Sequence, residues 1–245
     1  PNERLVWTAA LGAPDGRLHL YVLDVGQGDA LLLVTPHGNR MLVDGGPAPS
    51  ATLDGLGRHL PPWDRRLDVV VLTHPDVDHV GGLAAVLERY RVGVVVVPPI
   101  EGVAPEARGF RAAVGAERAA VVDGAVGLRL VLDEAGGVDA VALWPQGDAE
   151  TSGASGTNDA SVVLRVAHGR VTLLLPGDIE APAEQALIAS GAPLDADVLK
   201  LAHHGSDTSS IQELVAAVTP SLALVSVGQG NGFGHPSPDV IARLA

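Results

Sequence analysis

The chain has 245 residues, of which 47% are hydrophobic and 18% charged, a balance that supports a well-cored globular fold rather than disorder. It has no cysteine, which excludes disulfides, thiolate metal sites and cysteine nucleophiles and leaves His, Asp and Glu to carry any metal chemistry. The formal net charge of −13 disfavours nonspecific attraction to nucleic acid or anionic lipid, and the single lysine, Lys200, lies between Leu199 and Leu201, which excludes a phosphate-binding G-x-x-x-x-G-K-[ST] loop.

Residues 18–22, 30–34 and 41–43 are short β-rich runs separated by Gly, Asp and Pro, and they predict an antiparallel meander. From residue 67 the pattern changes. A buried strand over 68–72 is followed by a polar loop over 73–82, a helix with Leu83, Val86, Leu87 and Tyr90 on one face, and a second buried strand over 94–97. Such a β-loop-α-β unit gathers its loop side chains at the carboxyl edge of a sheet. Residues 101–117 read as a Gly-interrupted helix, 121–143 hold three more strand-like runs, and 146–157 are polar and Gly/Ser-rich, hence a loop. Residues 161–167 and 170–175 alternate around the turn residues His168 and Gly169, a hairpin closed by Pro176, Gly177 and Asp178.

A helix over 181–190, a strand over 197–202, a helix over 209–218 and a strand over 222–227 complete a second half similar in order to the first. Two mixed sheets faced by helices are the simplest packing of these elements, and with no dividing linker the chain reads as one domain over 1–245. Apolar runs such as 92–97 are too short to span a bilayer, and no signal peptide is visible. The chain opens on Pro1 without an initiator Met and stops at Ala245 within a helical pattern that begins at Ser237 and Pro238, so it is expected to be a piece of a longer protein.

The densest chemical signal is Thr73-His74-Pro75-Asp76-Val77-Asp78-His79-Val80-Gly81-Gly82, which sets four potential ligands directly after a buried strand. Residues 74, 76 and 78 share a two-residue period, so an extended segment would aim all three to one side. Imidazole and carboxylate together bind divalent transition metals. The alternative is an exposed Asp-rich loop that caps a helix, with Asp78 near the N-cap. Asp178 and the pair His203-His204 also follow strands. Three strand ends that deliver His or Asp to one edge suit a two-metal hydrolase in which a carboxylate bridges the ions, and Asp178 is the natural bridge.

His74, Asp76, Asp78 and His79 fall on a pattern that resembles the H-x-H-x-D-H ligand motif of metallo-β-lactamase-fold hydrolases, with Asp76 where the family usually has His. Val43-Asp44-Gly45-Gly46, Gly177-Asp178 and His203-His204-Gly205 are similar to further motifs of that superfamily. More narrowly, residues 23–30, the 74–82 loop, residues 200–206 and Gly234-His235-Pro236-Ser237 resemble the C-terminal domain of the ComEC family, membrane channel proteins for DNA uptake in bacterial competence. The resemblance implies an α+β fold, an αββα sandwich of two mixed sheets with helices on the outer faces. It implies two divalent ions held by His74, Asp76, Asp78, His79, Asp178 and His204, with Asp44 and Asn158 behind the ligands. Asn158 stands near the place of the family's third-motif histidine, which weakens one metal site, and Asp76 adds a hard oxygen donor that favours Mn²⁺ or Mg²⁺ beside possible Zn²⁺. The usual His-Gly ending of the last motif favours His204 as ligand and leaves His203 for the leaving group or phosphate.

Two ions bring +4 to a site where Asp76, Asp78 and Asp178 supply −3, so a phosphodiester can bind despite the acidic chain. Lys200 is the candidate cation for the developing charge, the alternative being a strand lysine that reaches solvent. His235 is a candidate proton donor, and Arg58, Arg65 and Arg66 are a candidate basic track. The resemblance implies a nuclease that degrades one strand of incoming DNA on the extracytoplasmic side of an inner membrane, beside channel domains of the same parent chain, without a nucleotide cofactor and monomeric as an isolated domain. Hydrolysis of a small phosphodiester or a lactone, and an inert DNA-guiding module, remain the alternatives.

Overall fold

The computed structural model describes residues 14–146 and 156–244; most of the loop expected over 146–157 lies outside the described residues, as does Ala245. The first half holds β1 (His19–Val22), β2 (Leu31–Val34), β3 (Arg40–Val43), α1 (Pro49–His59), β4 (Arg66–Val71), α2 (Val77–Val80), α3 (Leu83–Arg89), β5 (Arg91–Val97), α4 (Pro105–Ala116) and β6 (Ala120–Asp123). The second holds β7 (Arg129–Asp133), β8 (Val138–Trp144), β9 (Val163–His168), β10 (Val171–Leu175), α5 (Ala181–Ala189), β11 (Val198–Lys200), α6 (Gln212–Val218), β12 (Leu222–Leu224) and α7 (Pro238–Arg243).

Two six-stranded sheets run β1-β2-β3-β4-β5-β6 and β12-β11-β10-β9-β8-β7. Both are mixed. The expected meander β1-β2-β3 is antiparallel, and β3 to β6 are parallel. In the second sheet β7 to β10 are antiparallel and β10, β11 and β12 parallel.

The central strands read as unbroken apolar runs because both faces are covered. Leu31, Leu33, Met41, Val43, Val69 and Val71 point into the sandwich against Leu164, Val166, Leu173 and Leu175. Their neighbours Leu32, Leu42 and Val70 point outward against Leu56, Leu83, Val86 and Phe110 of α1, α3 and α4. On the other outer face Val163, Leu174 and Leu199 pack against Leu187, Leu214 and Val240 of α5, α6 and α7. The result is the expected αββα sandwich.

Local chemistry accounts for the boundaries that differ from the sequence reading. No helix is expected before residue 67, because α1 carries Gly55 and Gly57 and no side-chain cap; Gly55 faces Leu23 at a spacing that leaves little room for a Cβ. Helix α4 begins four residues late, at Pro105, whose ring presets the first turn. Helix α6 begins at Gln212 rather than 209 because Ser210 is left-handed, with φ 52, and its Oγ accepts from the Ala202 amide. β11 stops at Lys200 rather than 202, where the chain tightens into a 3₁₀ turn over Ala202–Gly205.

Candidate metal centre

Four strand ends build one edge of the sandwich. Asp44 follows β3, the 73–82 loop follows β4, Asp178 follows β10 through the turn at Gly177 (φ 61), and His203 and His204 follow β11. Asp44, His203 and His204 are left-handed, with φ of 61, 49 and 55, a conformation costing non-glycine residues about 1 kcal/mol or more and concentrated at functional sites. The 73–82 loop departs from the expected extended run. It contains the one-turn helix α2, whose N-cap is Asp76 rather than Asp78 and makes no side-chain capping bond. The alternation of 74, 76 and 78 therefore ends at Asp76, and Asp78 reaches the site from a helical turn.

His79 gives its Nδ1 hydrogen to Asp44 Oδ2 at 2.8 Å, and His204 gives its Nδ1 hydrogen to the Ser226 carbonyl at 2.9 Å. Neither acceptor carries a hydrogen, so each neutral ring keeps a bare Nε2. These two nitrogens lie 3.3 Å apart, and each is 3.1 Å from Asp178 Oδ2. Asp78 Oδ2 is 3.4 Å from the His204 Nε2. A tetrahedral ion held at about 2.0–2.1 Å places its donor atoms about 3.3 Å apart. Two lone pairs facing each other at that distance repel unless a proton or cation lies between them. Among the described residues Asp29, His79, Asp178 and His204, all buried, form a cluster whose donor atoms lie within 4.8 Å of one another and can hold a divalent metal ion.

The electrostatics ask for positive charge. Burial lowers the His204 pKa, but hydrogen bonds to Asp178, Asp29 and Asp78 outweigh it and raise it to about 10. His79 is driven well above the ordinary imidazole value as Asp178 and Asp44 outweigh its burial. Burial raises Asp178, yet His79 and Lys200 outweigh it and hold the carboxyl well below the usual range. A field that draws protons to two imidazoles draws a metal cation equally.

Lys200 is 1% exposed, so it neither reaches solvent nor stands in the cleft to meet a substrate's charge. Its Nζ is bonded to Asp29 Oδ2 and lies 3.4 Å from both Asp178 Oδ1 and the Gly177 carbonyl. The expected catalytic cation is instead a buried counter-charge that holds one oxygen of Asp178 and leaves the other to the cluster. Asp29 is the residue the sequence reading missed. Its Oδ1 lies 3.5 Å from His204 Nδ1, the nitrogen already committed to Ser226, so Asp29 faces the back of that ring. Gly28, with φ 121, lets this segment pass close to the 73–82 loop, where an added Cβ would come within 2.1 Å of the Asp78 carbonyl. An acidic residue at the head of a wholly apolar strand, in a chain with one lysine, was the available signal.

His74 is buried, and its ring lies 4.1 Å from that of His79. Thr73 Oγ1 donates to Asp44 Oδ2 at 2.7 Å, so the 3.0 Å contact with His74 Nδ1 must be donated by His74. That leaves His74 Nε2 bare, buried and without a hydrogen-bond partner. Burial, then the neighbouring His79, lowers its pKa to about 4 and keeps the ring neutral. Asp76 lines the same open cleft of about 220 Å³ as Asp78, His203, His204 and His235.

Asn158 lies in a 3₁₀ turn rather than at a strand start; its amide donates to Glu180 Oε1 at 3.3 Å, and its carbonyl accepts at 2.6 Å from Ser161 Oγ, which accepts from the Asp178 amide at 3.2 Å. The same Glu180 oxygen lies 3.2 Å from His203 Nδ1, so His203 sits outside the cluster with a carboxylate partner of its own. The Arg track is not formed at the site: Arg65 and Arg66 stand at the start of β4, roughly 20 Å from its loop end, Arg66 pairs with Asp68, and Arg58 lies in the last turn of α1.

The chain is 28% identical to the "ComE operon protein 3" of Bacillus subtilis over 91% of its length and 30% of that protein. It is 31% identical to "Competence protein ComA" of Neisseria gonorrhoeae over 94% of its length and 30% of that protein. It thus spans about a third of the length of these relatives. The metallo-beta-lactamase fold protein YhfI of Bacillus subtilis superposes with a TM-score of 0.59 at 12% identity, covering 93% of this chain and 94% of that one, a likeness of fold. The family model of the metallo-beta-lactamase superfamily matches residues 23–229, which take in every strand end of the cluster, and the chain belongs to that superfamily.

Proposed function

We propose that this chain is a metal-dependent nuclease that hydrolyses phosphodiester bonds, degrading one strand of incoming DNA during natural transformation. The observation that carries the reading is the convergence of His79 Nε2, His204 Nε2 and Asp178 Oδ2 at 3.1–3.3 Å, with Asp78 Oδ2 beside them and the back of each ring pinned. The bare, buried His74 Nε2, with Asp76 and the shared Asp178, is the place for a second ion. Mixed nitrogen and oxygen donors suit Mn²⁺ or Mg²⁺ as well as Zn²⁺. Divalent ions there would supply Lewis acidity at phosphorus and an attacking water of lowered pKa.

The chain's own groups do the rest. Asp178 would help to hold both ions, while the Lys200 ammonium holds its Oδ1 and leaves Oδ2 facing His79 and His204. His203 is held through Nδ1 by Glu180 and lines the cleft, where its doubly protonated ring would give the Nε2 proton to the leaving oxygen and keep the Nδ1 hydrogen on Glu180. His235 lies on the same cleft as a further proton carrier. The DNA substrate is supported by the similarity to "Competence protein ComA"; a place beside membrane channel domains of the same polypeptide and an extracytoplasmic position are proposed on the ComEC resemblance alone. No helix among the described residues is itself long and apolar enough to cross a membrane.

The test is cleavage of end-labelled single- and double-stranded DNA with Mn²⁺, Mg²⁺, Zn²⁺ or EDTA, beside Asp178→Ala. Metal-dependent cleavage lost in the variant supports the reading. Turnover of a small phosphodiester or a lactone without DNA cleavage would favour the small-molecule alternative, which the net charge of −13 suits. No turnover of any substrate by metal-loaded protein would favour an inert DNA-guiding module.

A further inference from the structure

The chain has only two Phe, two Tyr and three Trp, and one of them, Phe233, is 71% exposed on the rim of the catalytic cleft. Its ring lies 5.7 Å from that of His235 at an interplanar angle of 16°, a stacked pair. His235 in turn lies 5.9 Å from His203, and His203 lies 6.2 Å from His204, so a run of rings leads from the rim to the metal cluster. The loop that presents Phe233 is built rather than loose. Asn231 donates from Nδ2 to the carbonyls of His235 and Gly228 at 2.7 and 3.0 Å, and its Oδ1 accepts from the amides of Phe233 and His235, each at 3.1 Å. Gly228 also donates to Gln27 Oε1 at 3.1 Å, which ties the loop to the opposite wall. Five hydrogen bonds thus hold an apolar ring out in water at the mouth of the site.

We propose that Phe233, backed by His235, is a stacking platform for an unpaired nucleobase of the strand whose phosphodiester lies at the cluster. The inference rests on the DNA reading above and adds to it where the base goes. The rest of the cleft is polar, with Gln27, Asp76, Asp78 and His203 on its walls. One flat apolar face within a polar rim matches a heterocycle with an apolar face and polar edges, whereas an acyl chain needs an apolar trough. Stacking also supplies affinity that a chain of net charge −13 cannot draw from broad attraction to phosphates. A base must leave its duplex to lie on such a ring, so the platform selects single strands or frayed ends.

The experiment is an abasic scan on a labelled single-stranded oligonucleotide, with wild type, Phe233→Leu and Phe233→Trp loaded with Mn²⁺. Because Phe233 is exposed, unchanged melting temperatures will show that the variants fold. For wild type and Phe233→Trp, one abasic position raises KM by about five- to a hundred-fold with kcat little changed. Phe233→Leu has the raised KM on the intact strand and no further response to the abasic site. 2-Aminopurine at that position loses fluorescence on binding to metal-free wild type and keeps it with Phe233→Leu. Cleavage with no position-dependent abasic effect, or identical profiles for wild type and Phe233→Leu, would remove the platform and leave the nuclease reading standing. Failure of wild type to bind or cut any DNA would remove both.

Discussion

Replacing Lys200 by Met keeps the length of the side chain and removes its charge from a place that is 1% exposed. Two carboxylates then lose their partner: Asp29, bonded directly to Nζ, and Asp178, whose Oδ1 lies 3.4 Å away. At 3.4 Å and an effective dielectric constant near 20, the attraction to Asp178 amounts to about 5 kcal/mol before the cost of desolvating the ions is counted, and the closer Asp29 contact to more. Breaking a buried pair by deleting one member usually leaves a net loss of about 3–5 kcal/mol. For a chain of this size that is a fall in melting temperature of roughly 6–20 °C. Lys200→Met should show this loss in denaturant or thermal unfolding with EDTA present. Much of it should return in the double variant Asp29→Asn/Lys200→Met, which removes both charges of the pair. Saturating Mn²⁺ should also restore part of it, since a cation at Asp178 offsets the same excess of negative charge. A Lys200→Met chain within about 1 kcal/mol of wild type, or a double variant no better than the single one, would refute the counter-charge role.

Two further outcomes follow from buried groups. Asp44 accepts from His79 Nδ1, from the Thr73 amide and from Thr73 Oγ1, all at 2.7–2.8 Å, so Asp44→Asn turns an amide hydrogen toward a donor and should weaken metal affinity about 10- to 100-fold, measured by calorimetric titration; an unchanged Kd would contradict it. Glu184, on α5, accepts from the amides of Ser210 and Ile211, and burial pushes its pKa up to about 7 from 4.5. A carboxyl with a raised folded-state pKa contributes its stability below the unfolded value, near pH 4.5, and loses it as pH rises through 7, a change of about 3 kcal/mol. The stability of wild type relative to Glu184→Gln should therefore fall between pH 4.5 and 8; parallel pH profiles would show that Glu184 does not titrate there.

The sandwich was legible because its strands carry the pattern in their own residues. Leu31 to Val34, Met41 to Val43 and Val69 to Val71 are apolar at every position, and only strands covered on both faces require that. Helix α1 was hidden by Gly55 and Gly57, which serve packing at the expense of helix propensity. At the site, His74, Asp78, His79, Asp178 and His204 could be picked out because motif spacing and strand ends both mark them. Lys200, Asp29 and Glu180 could not be placed, since a residue's partner across the sheet depends on tertiary packing. Lys200 and Asp29 are 171 positions apart and meet only when β11 and the segment before β2 reach the same edge. His203 and His204 are adjacent in sequence, and the left-handed turn over both residues sends one ring to Glu180 and the other to the cluster.

The most direct measurement is the Mn²⁺ content per chain of wild type, His204→Ala, His203→Ala and His74→Ala after equilibrium dialysis, read by mass spectrometry of the metal. Two ions in wild type and in His203→Ala, with one lost in each of His204→Ala and His74→Ala, is the result predicted by the three bare Nε2 atoms. A wild-type chain that binds no metal, or equal contents in His203→Ala and His204→Ala, would contradict the assignment of the centre.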